Sequence, residues 1–349
     1  MIHSNSKYSF DKGGSYMLDK LSFMNKVNLG ILGTGNIAAI MADTVSKMSS
    51  IRCYAVASRS QQRADVFGVT HKIKKCYGTY EDMVKDKKID LIYIATPHSE
   101  HYENMKLCIN YGKPVLCEKA FTANAIQAEE ILMLAKEKNV FVTEAMWIRY
   151  MPMVATIKEV LDSGVIGDIR MVTANLCYPI AGKDRLKNPE LAGGALLDLG
   201  VYPINFASMI LGTEVERVDS SCQMSDSGVD SQESITLHYQ NGAMAVLNCS
   251  MQAVSDRIGG IAGTKGYAVV QNINNMESLT VYNEKHEKIS TYKAKKQISG
   301  YEYEVEACIR AIKEGWKQCP QMPHAETLRI MKLMDFLRNM WNMKYPFEA

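Results

Sequence analysis

The chain has 349 residues, with 40 Lys and Arg against 38 Asp and Glu, for a formal charge of +2. Hydrophobic residues make up 47% and charged residues 22%, a globular composition that excludes a disordered chain. Near-neutral charge without a Lys/Arg block argues against nucleic acid or an anionic membrane as partner and favours a small molecule. No apolar run reaches the about 18 residues of a membrane helix.

Residues 1–25 are polar and patternless, with no secretory apolar core, so we expect a mobile extension, with Met24 as the natural start, and a cytoplasmic protein. The 9 cysteines are odd in number, scattered from Cys53 to Cys319 and without CxxC spacing, as expected of reduced core thiols.

Residues 26–147 read as a doubly wound α/β domain. Strand candidates are VNLGILG (27–33), IRCYAVAS (51–58), KCYG (75–78), LIYIAT (91–96), PVLCE (114–118) and VFVTEA (140–145). Helical stretches lie between them at 36–48, 61–67, 100–111 and 123–138.

Gly33-Thr34-Gly35-Asn36-Ile37-Ala38 is GxGxxA at the first strand-to-helix turn. The first Gly permits the turn, the second admits a pyrophosphate to the backbone, and Ala38 lets helix pack on strand. A tight turn without ligand is the alternative. The second strand ends in Ser58-Arg59 rather than an acid, with Arg63 one helical turn on. That pair suits a ribose 2′-phosphate, so NADP is expected and NAD remains possible; the alternative is Arg59 stacked on adenine with Arg63 solvated.

Residues 148–349 change character. A helix at 154–163 leads into β-branched strands, including IRMVTANLCY and a hairpin turned at Asn241-Gly242, so a large open antiparallel sheet is expected. Segments 301–315 and 324–340 close the chain as helices around a break at Pro320. Gly263-Thr264-Lys265-Gly266 lacks P-loop spacing and reads as a β-turn.

Four further segments, TPHSEH (96–101), CEKA (117–120), TEAMWIRYMP (143–152) and GGALLDLGVYPI (193–204), follow the glycine loop in order. Together the five resemble the Gfo/Idh/MocA family over residues 27–345, within its glucose-fructose oxidoreductase and dihydrodiol dehydrogenase branch. The resemblance implies a Rossmann domain followed by an α+β domain with an open sheet. It also implies hydride transfer between nicotinamide and a secondary CH–OH of a sugar, polyol or trans-dihydrodiol, with NADP favoured.

By the same resemblance, Lys119 is catalytic, Glu118 and Lys119 lie beside the nicotinamide, and Tyr202 is the proton donor-acceptor. A nearby ammonium favours phenolate, so Lys119 is expected to lower the Tyr202 pKa. Asp198, four residues earlier, shares a face with Tyr202 if 196–210 is helical, and orients substrate. Thr96, Pro97 and His98 are expected against the cofactor, with a structural or cofactor role for His101. Zinc is not expected, because His98 and His101 lack further ligands at suitable spacing.

Trp147 and Arg149 leave the sixth strand toward the site, where they suit cofactor or a sugar ring; an interdomain hinge is the alternative. Ala120 replaces the family's usual proline, which predicts a less rigidly aimed Lys119. The open sheet predicts a homodimer or dimer of dimers. The functional alternatives are a dinucleotide-sensing regulatory protein without turnover and a nucleotide-sugar ketoreductase.

Overall fold

Six strands, β1 (Val27–Leu32), β2 (Ile51–Ala57), β3 (Lys75–Tyr77), β4 (Leu91–Ile94), β5 (Val115–Glu118) and β6 (Val142–Ala145), form one parallel sheet in the order β3-β2-β1-β4-β5-β6. This computed structural model describes residues 26–348, so the expected extension over 1–25 lies outside the described residues. Every residue of β4, β5 and β6 is buried, as a sheet covered on both faces requires. The covering helices are α1 (Asn36–Ser46), α2 (Gln61–His71), α3 (Tyr80–Val84), α4 (His98–Asn110) and α5 (Ala125–Glu137). The strand order reverses between β1 and β4, so the crevice at their carboxyl ends is where a ligand is received.

Among the boundaries that differ from expectation are those of α2 and α4. Helix α2 continues through Gly68 to His71, because that glycine serves packing: a Cβ there would lie 2.2 Å from Cys76 Sγ. Helix α4 starts at His98, directly after Pro97, which puts His98 and His101 in its first turn.

Helix α6 (Pro152–Asp162) leads into β7 (Ile169–Cys177), α7 (Asp184–Lys187) and α8 (Val201–Leu211). Then come β8 (Val215–Met224), β9 (Asp230–Tyr239), β10 (Met244–Ser250), β11 (Gly259–Gly263), β12 (Gly266–Gln271), β13 (Ser278–Asn283) and β14 (Lys288–Lys293). The eight strands pair as β14-β13-β12-β11-β7-β10-β9-β8. All pairs are antiparallel except β7 with β10, whose link through α7, α8, β8 and β9 returns the chain in the same direction. Asn241-Gly242 turns the β9–β10 hairpin and Thr264-Lys265 turns β11 into β12.

One face of this sheet is buried through Val172, Leu237, Leu247 and Val270, while Met171, Thr173, Val246, Tyr267 and Val269 alternate onto the other face and are at least partly exposed. Residues 189–211 are long and apolar enough to resemble a membrane span, but 83% of the most apolar window is buried in the protein.

Helix α9 (Glu302–Lys313) and α10 (His324–Met340) close the chain, and α10 crosses back onto α5. There the Ala125 amide donates to Asp335 Oδ2 (2.7 Å) and Asn124 Nδ2 to Glu348 Oε1 (2.8 Å). All nine cysteines are free thiols.

Candidate active site

The turn after β1 is built for close approach. Gly33 has φ +108°, and a Cβ on it would lie 2.6 Å from the Ala95 carbonyl oxygen. A Cβ on Gly35 would meet nothing within 4 Å, leaving open space at the start of α1. That helix has no side-chain cap and no acid in its first turn, so its amides and the positive end of its dipole are available to a pyrophosphate. Buried Ala38 packs the helix on the sheet, with Thr34, Asn36 and Ile37 lining the turn. A dinucleotide fits this cradle.

At the end of β2 the Ser58 amide donates to the Tyr77 carbonyl (3.1 Å), and Arg59 and Arg63 are both exposed. They share a neighbour in Tyr80, whose phenol is raised by burial while both guanidiniums pull it down. No carboxylate occupies the position that would exclude a 2′-phosphate.

The 96–101 loop is locked to the end of β5. His101 Nε2 and Nδ1 each lie 2.9 Å from a carbonyl oxygen, those of Thr96 and Ala120. Burial lowers its pKa to about 4, so the neutral ring donates to one of them. His98 Nδ1 lies 3.0 Å from the Ala192 carbonyl, and burial, assisted by Lys119, lowers its pKa to about 3. Thr96 Oγ1 accepts from Asn104 Nδ2 (3.0 Å).

Lys119, at the carboxyl end of β5, meets the segment that leads into α8. Its Nζ donates to the Asp198 main-chain oxygen (2.7 Å) and lies 3.3 Å from Asp198 Oδ1, which also receives Arg185 Nη2 at 3.0 Å. Burial alone would raise the Asp198 pKa, but Lys119, Arg185 and His98 outweigh it and hold the carboxyl well below its ordinary range. Residues Leu196–Gly200 form one π-helical turn rather than the expected α-helix, ahead of α8. Asp198 and Tyr202 both still reach Lys119, whose Nζ stands 5.1 Å from the Tyr202 ring centroid.

Trp147 Nε1 donates to the Tyr202 hydroxyl (3.2 Å), and the Trp147 ring stacks on Tyr301 at 4.4 Å between centroids. Gly300 makes that stack possible, since a Cβ there would sit 2.6 Å from Trp147 Cζ3.

Four expectations are corrected. Lys119 does not lower the Tyr202 pKa: burial raises the phenol well above its ordinary value, reinforced by Tyr301 and Glu118, while the Lys119 charge is spent on Asp198. Arg149 makes none of its side-chain bonds with Lys119, Asp198 or Tyr202. It is buried against Asn205 Oδ1 (2.6 Å), Ser208 Oγ (3.1 Å) and an ion pair with Glu326, which is the hinge arrangement. Glu118 turns inward, accepting from the Tyr93 hydroxyl and from the Lys119 amide (3.2 Å), and burial raises its pKa. Lys119 is not loosely aimed for want of a proline at 120, because Asp198 fixes its ammonium. The Lys119–Ala120 peptide is cis.

Sequence reasoning missed Arg185, in the four-residue helix α7, and Tyr301, at the head of the 301–315 segment, because neither position's spacing signals the contact it makes. A cavity of about 950 Å³ opens between α6 and α8 with Arg149, Ser208 and Glu326 in its wall, and it contains none of Lys119, Asp198 or Tyr202.

Residues 27–146 match the oxidoreductase-family model for an NAD-binding Rossmann fold, and residues 154–269 match the C-terminal domain of the same family. The chain belongs to the Gfo/Idh/MocA oxidoreductase family. Within it, the chain is 32% identical to trans-1,2-dihydrobenzene-1,2-diol dehydrogenase of Mus musculus over 91% of this chain and 97% of that one. The Homo sapiens enzyme of the same name is 28% identical over 91% and 97%. Among solved structures, a 3-ketoreductase from Actinomadura kijaniata in complex with NADP and TDP-benzene superposes with a TM-score of 0.82 at 25% identity, covering 90% of this chain and 98% of that one. An aldose-aldose oxidoreductase from Caulobacter crescentus gives 0.81 at 19% identity over 90% and 97%, a likeness of fold.

Proposed function

We propose that this protein is an oxidoreductase that prefers NADP to NAD and transfers a hydride between nicotinamide and a secondary CH–OH or C=O carbon of a sugar, polyol or trans-dihydrodiol. The observation that carries this reading is the convergence of Lys119, Asp198 and Tyr202 at the carboxyl edge of the parallel sheet, beside the glycine cradle. The identity with dihydrodiol dehydrogenases along nearly the whole chain supports the substrate class. The NADP in a structural neighbour, with Arg59, Arg63 and the missing acid here, supports the cofactor preference.

Residues 33–37 hold the pyrophosphate, Arg59 and Arg63 the 2′-phosphate, and the backbone of Thr96–His98 borders the nicotinamide. When bound, the nicotinamide supplies hydride donor and acceptor chemistry. The Lys119 ammonium binds the substrate oxygen and stabilises negative charge on it. Tyr202, kept protonated by burial, gives its proton to that oxygen as a carbonyl is reduced, and the phenolate so formed is the acceptor of the alcohol proton in the reverse direction. Trp147 fixes the direction of the phenol, and Asp198 fixes the lysine.

Absorbance at 340 nm tests the reading in purified protein, with NADP and NAD separately, against aldoses, polyols, deoxy-sugars and dihydrodiols. Turnover on a member of the panel is expected. Tight dinucleotide binding with no turnover on any of them would overturn it in favour of a sensor.

The partly exposed outer face of the second sheet, with Met171, Val246, Tyr267 and Val269, supports self-association through that face. Light scattering at micromolar concentration should give at least a dimer mass, and a monomer mass refutes this.

A further inference from the structure

Two loops at the rim of the site, residues 251–258 after β10 and 272–277 after β12, hold a polar cluster with no part in hydride or proton transfer. Arg257 Nη1 donates to the Tyr178 hydroxyl (3.1 Å), and its guanidinium carbon lies 5.7 Å from that ring's centroid. Asn274 Nδ2 donates to the same hydroxyl (3.2 Å). The 272–277 loop is tied to the segment that leads into Tyr301, the residue stacked on Trp147, by the bond that Gln297 Nε2 donates to Asn275 Oδ1 (2.8 Å).

Three features mark it as built for a ligand. Arg257 makes no ion pair among the described residues; the acid it senses, Glu277, is exposed and accepts from Asn272 Nδ2 (2.6 Å). The side-chain oxygens of Asn272 and Asn274 are buried without a donor, an uncommon state for buried acceptors. Arg257, Asn272 and Met276 all have left-handed backbone, with φ of 57°, 58° and 42°, a conformation that costs L-residues and gathers at ligand sites. The surrounding structure enforces it at Arg257, whose amide donates to Asn175 Oδ1 (3.1 Å) and Ser255 Oγ (3.3 Å) and whose carbonyl accepts from Ile273 (2.8 Å). At the reacting end, Lys119 and Arg185 share the single Asp198 carboxylate, so positive charge is in surplus there too. A neutral diol or sugar supplies no counter-charge to any of this.

We propose that the substrate carries an anionic group, a carboxylate or a phosphate, on a hydroxylated carbon frame away from the reacting carbon, with Arg257 binding the anion. The proposal rests on the oxidoreductase reading above for the reacting end of the molecule. Guanidinium recognition of carboxylate and phosphate follows from its planar, paired donors.

The test compares neutral sugars and polyols with their uronate and sugar-phosphate counterparts, in wild type, Arg257→Gln and Arg257→Lys. Turnover is read at 340 nm, and binding to the dinucleotide-loaded protein is read by tryptophan fluorescence. An anionic member should show at least tenfold higher kcat/KM than its neutral parent. Arg257→Gln should remove that advantage through KM, and Arg257→Lys should restore part of it. Uronates and sugar phosphates form separate arms, which assign the anion. Equal efficiency on neutral and anionic partners, or an advantage that survives Arg257→Gln, overturns the proposal and leaves the oxidoreductase reading standing. Arg257-dependent binding of anionic sugars without turnover upholds the subsite and removes the oxidoreductase reading. No preferential binding of either anion overturns the subsite.

Discussion

The Lys119 ammonium is held by Asp198 twice, through a 2.7 Å bond to its main-chain oxygen and a 3.3 Å contact with its carboxylate, although the two residues come from different sheets' connections. Because the main-chain bond survives removal of the side chain, Asp198 can aim the lysine even when its own charge is lost. The ammonium itself has no substitute. Lys119→Ala and Tyr202→Phe should each lower kcat by about 10²–10⁴, the usual worth of a positioned proton-transfer group, with dinucleotide affinity retained by fluorescence titration. A variant that keeps wild-type kcat removes its residue from the mechanism.

Cofactor choice should turn on Arg59. Losing one charge-assisted contact to a 2′-phosphate is worth about 1.5–3 kcal/mol, so Arg59→Ala should raise KM for NADP by about tenfold to a hundredfold and leave KM for NAD little changed. Parallel changes for both cofactors would mean that Arg59 meets the shared adenine instead.

Arg149 is a stability residue in this structure. It is buried with Glu326, which also binds Arg329 at 2.8 Å and accepts from the Ser208 hydroxyl, so Arg149→Met removes one of its two cationic partners and should cost about 3 kcal/mol, near the lower end for a broken buried pair. Urea unfolding reads this directly, and kcat per folded molecule should be retained. A large loss of kcat at unchanged stability would return Arg149 to the pocket.

Asp230 on β9 should make stability depend on pH. Its Oδ2 accepts from the Leu196 amide (2.5 Å) at the head of the segment that carries Asp198, and burial raises its pKa from the ordinary 3.8 to about 6. Glu233 also disfavours a second charge there, while Arg338 favours one. The folded chain therefore holds this proton more tightly than the unfolded chain. The stabilisation is full below the unfolded pKa of 3.8 and is lost as pH rises through 6, in total about 3 kcal/mol, of which about 2 falls between pH 4.5 and 7. Asp230→Asn should flatten that part of the urea-unfolding profile; parallel profiles in the two proteins would sink the assignment.

The parts legible in sequence are those written in local rules. Gly33 announces the cradle because only glycine suits its backbone and clearance, and β4 announces itself by an unbroken apolar run. Resemblance located Lys119, Asp198 and Tyr202, but their electrostatics depend on burial, which no spacing encodes. The phenol of Tyr202 was expected to drop and instead rises, because Asp198 neutralises the lysine and the protein excludes water. Arg149 looked like a ligand because its partner Glu326 lies 177 residues downstream. Arg185 and Arg257 occupy a short helix and an irregular connection, where side-chain identity carries no periodic signal, and the helical spacing that begins at Tyr301 says nothing of the stack it makes.

The return of α10 onto α5 sets an order of assembly. Asp335 and Glu348 bind Ala125 and Asn124 at the start of α5, deep in the half that is synthesised first. During translation the head of α5 therefore emerges from the ribosome without these two partners, and it acquires them only after 210 and 224 further residues have been made. Chain order and completion order run opposite ways in this protein: a helix of the half synthesised first is finished by residues from the half synthesised later.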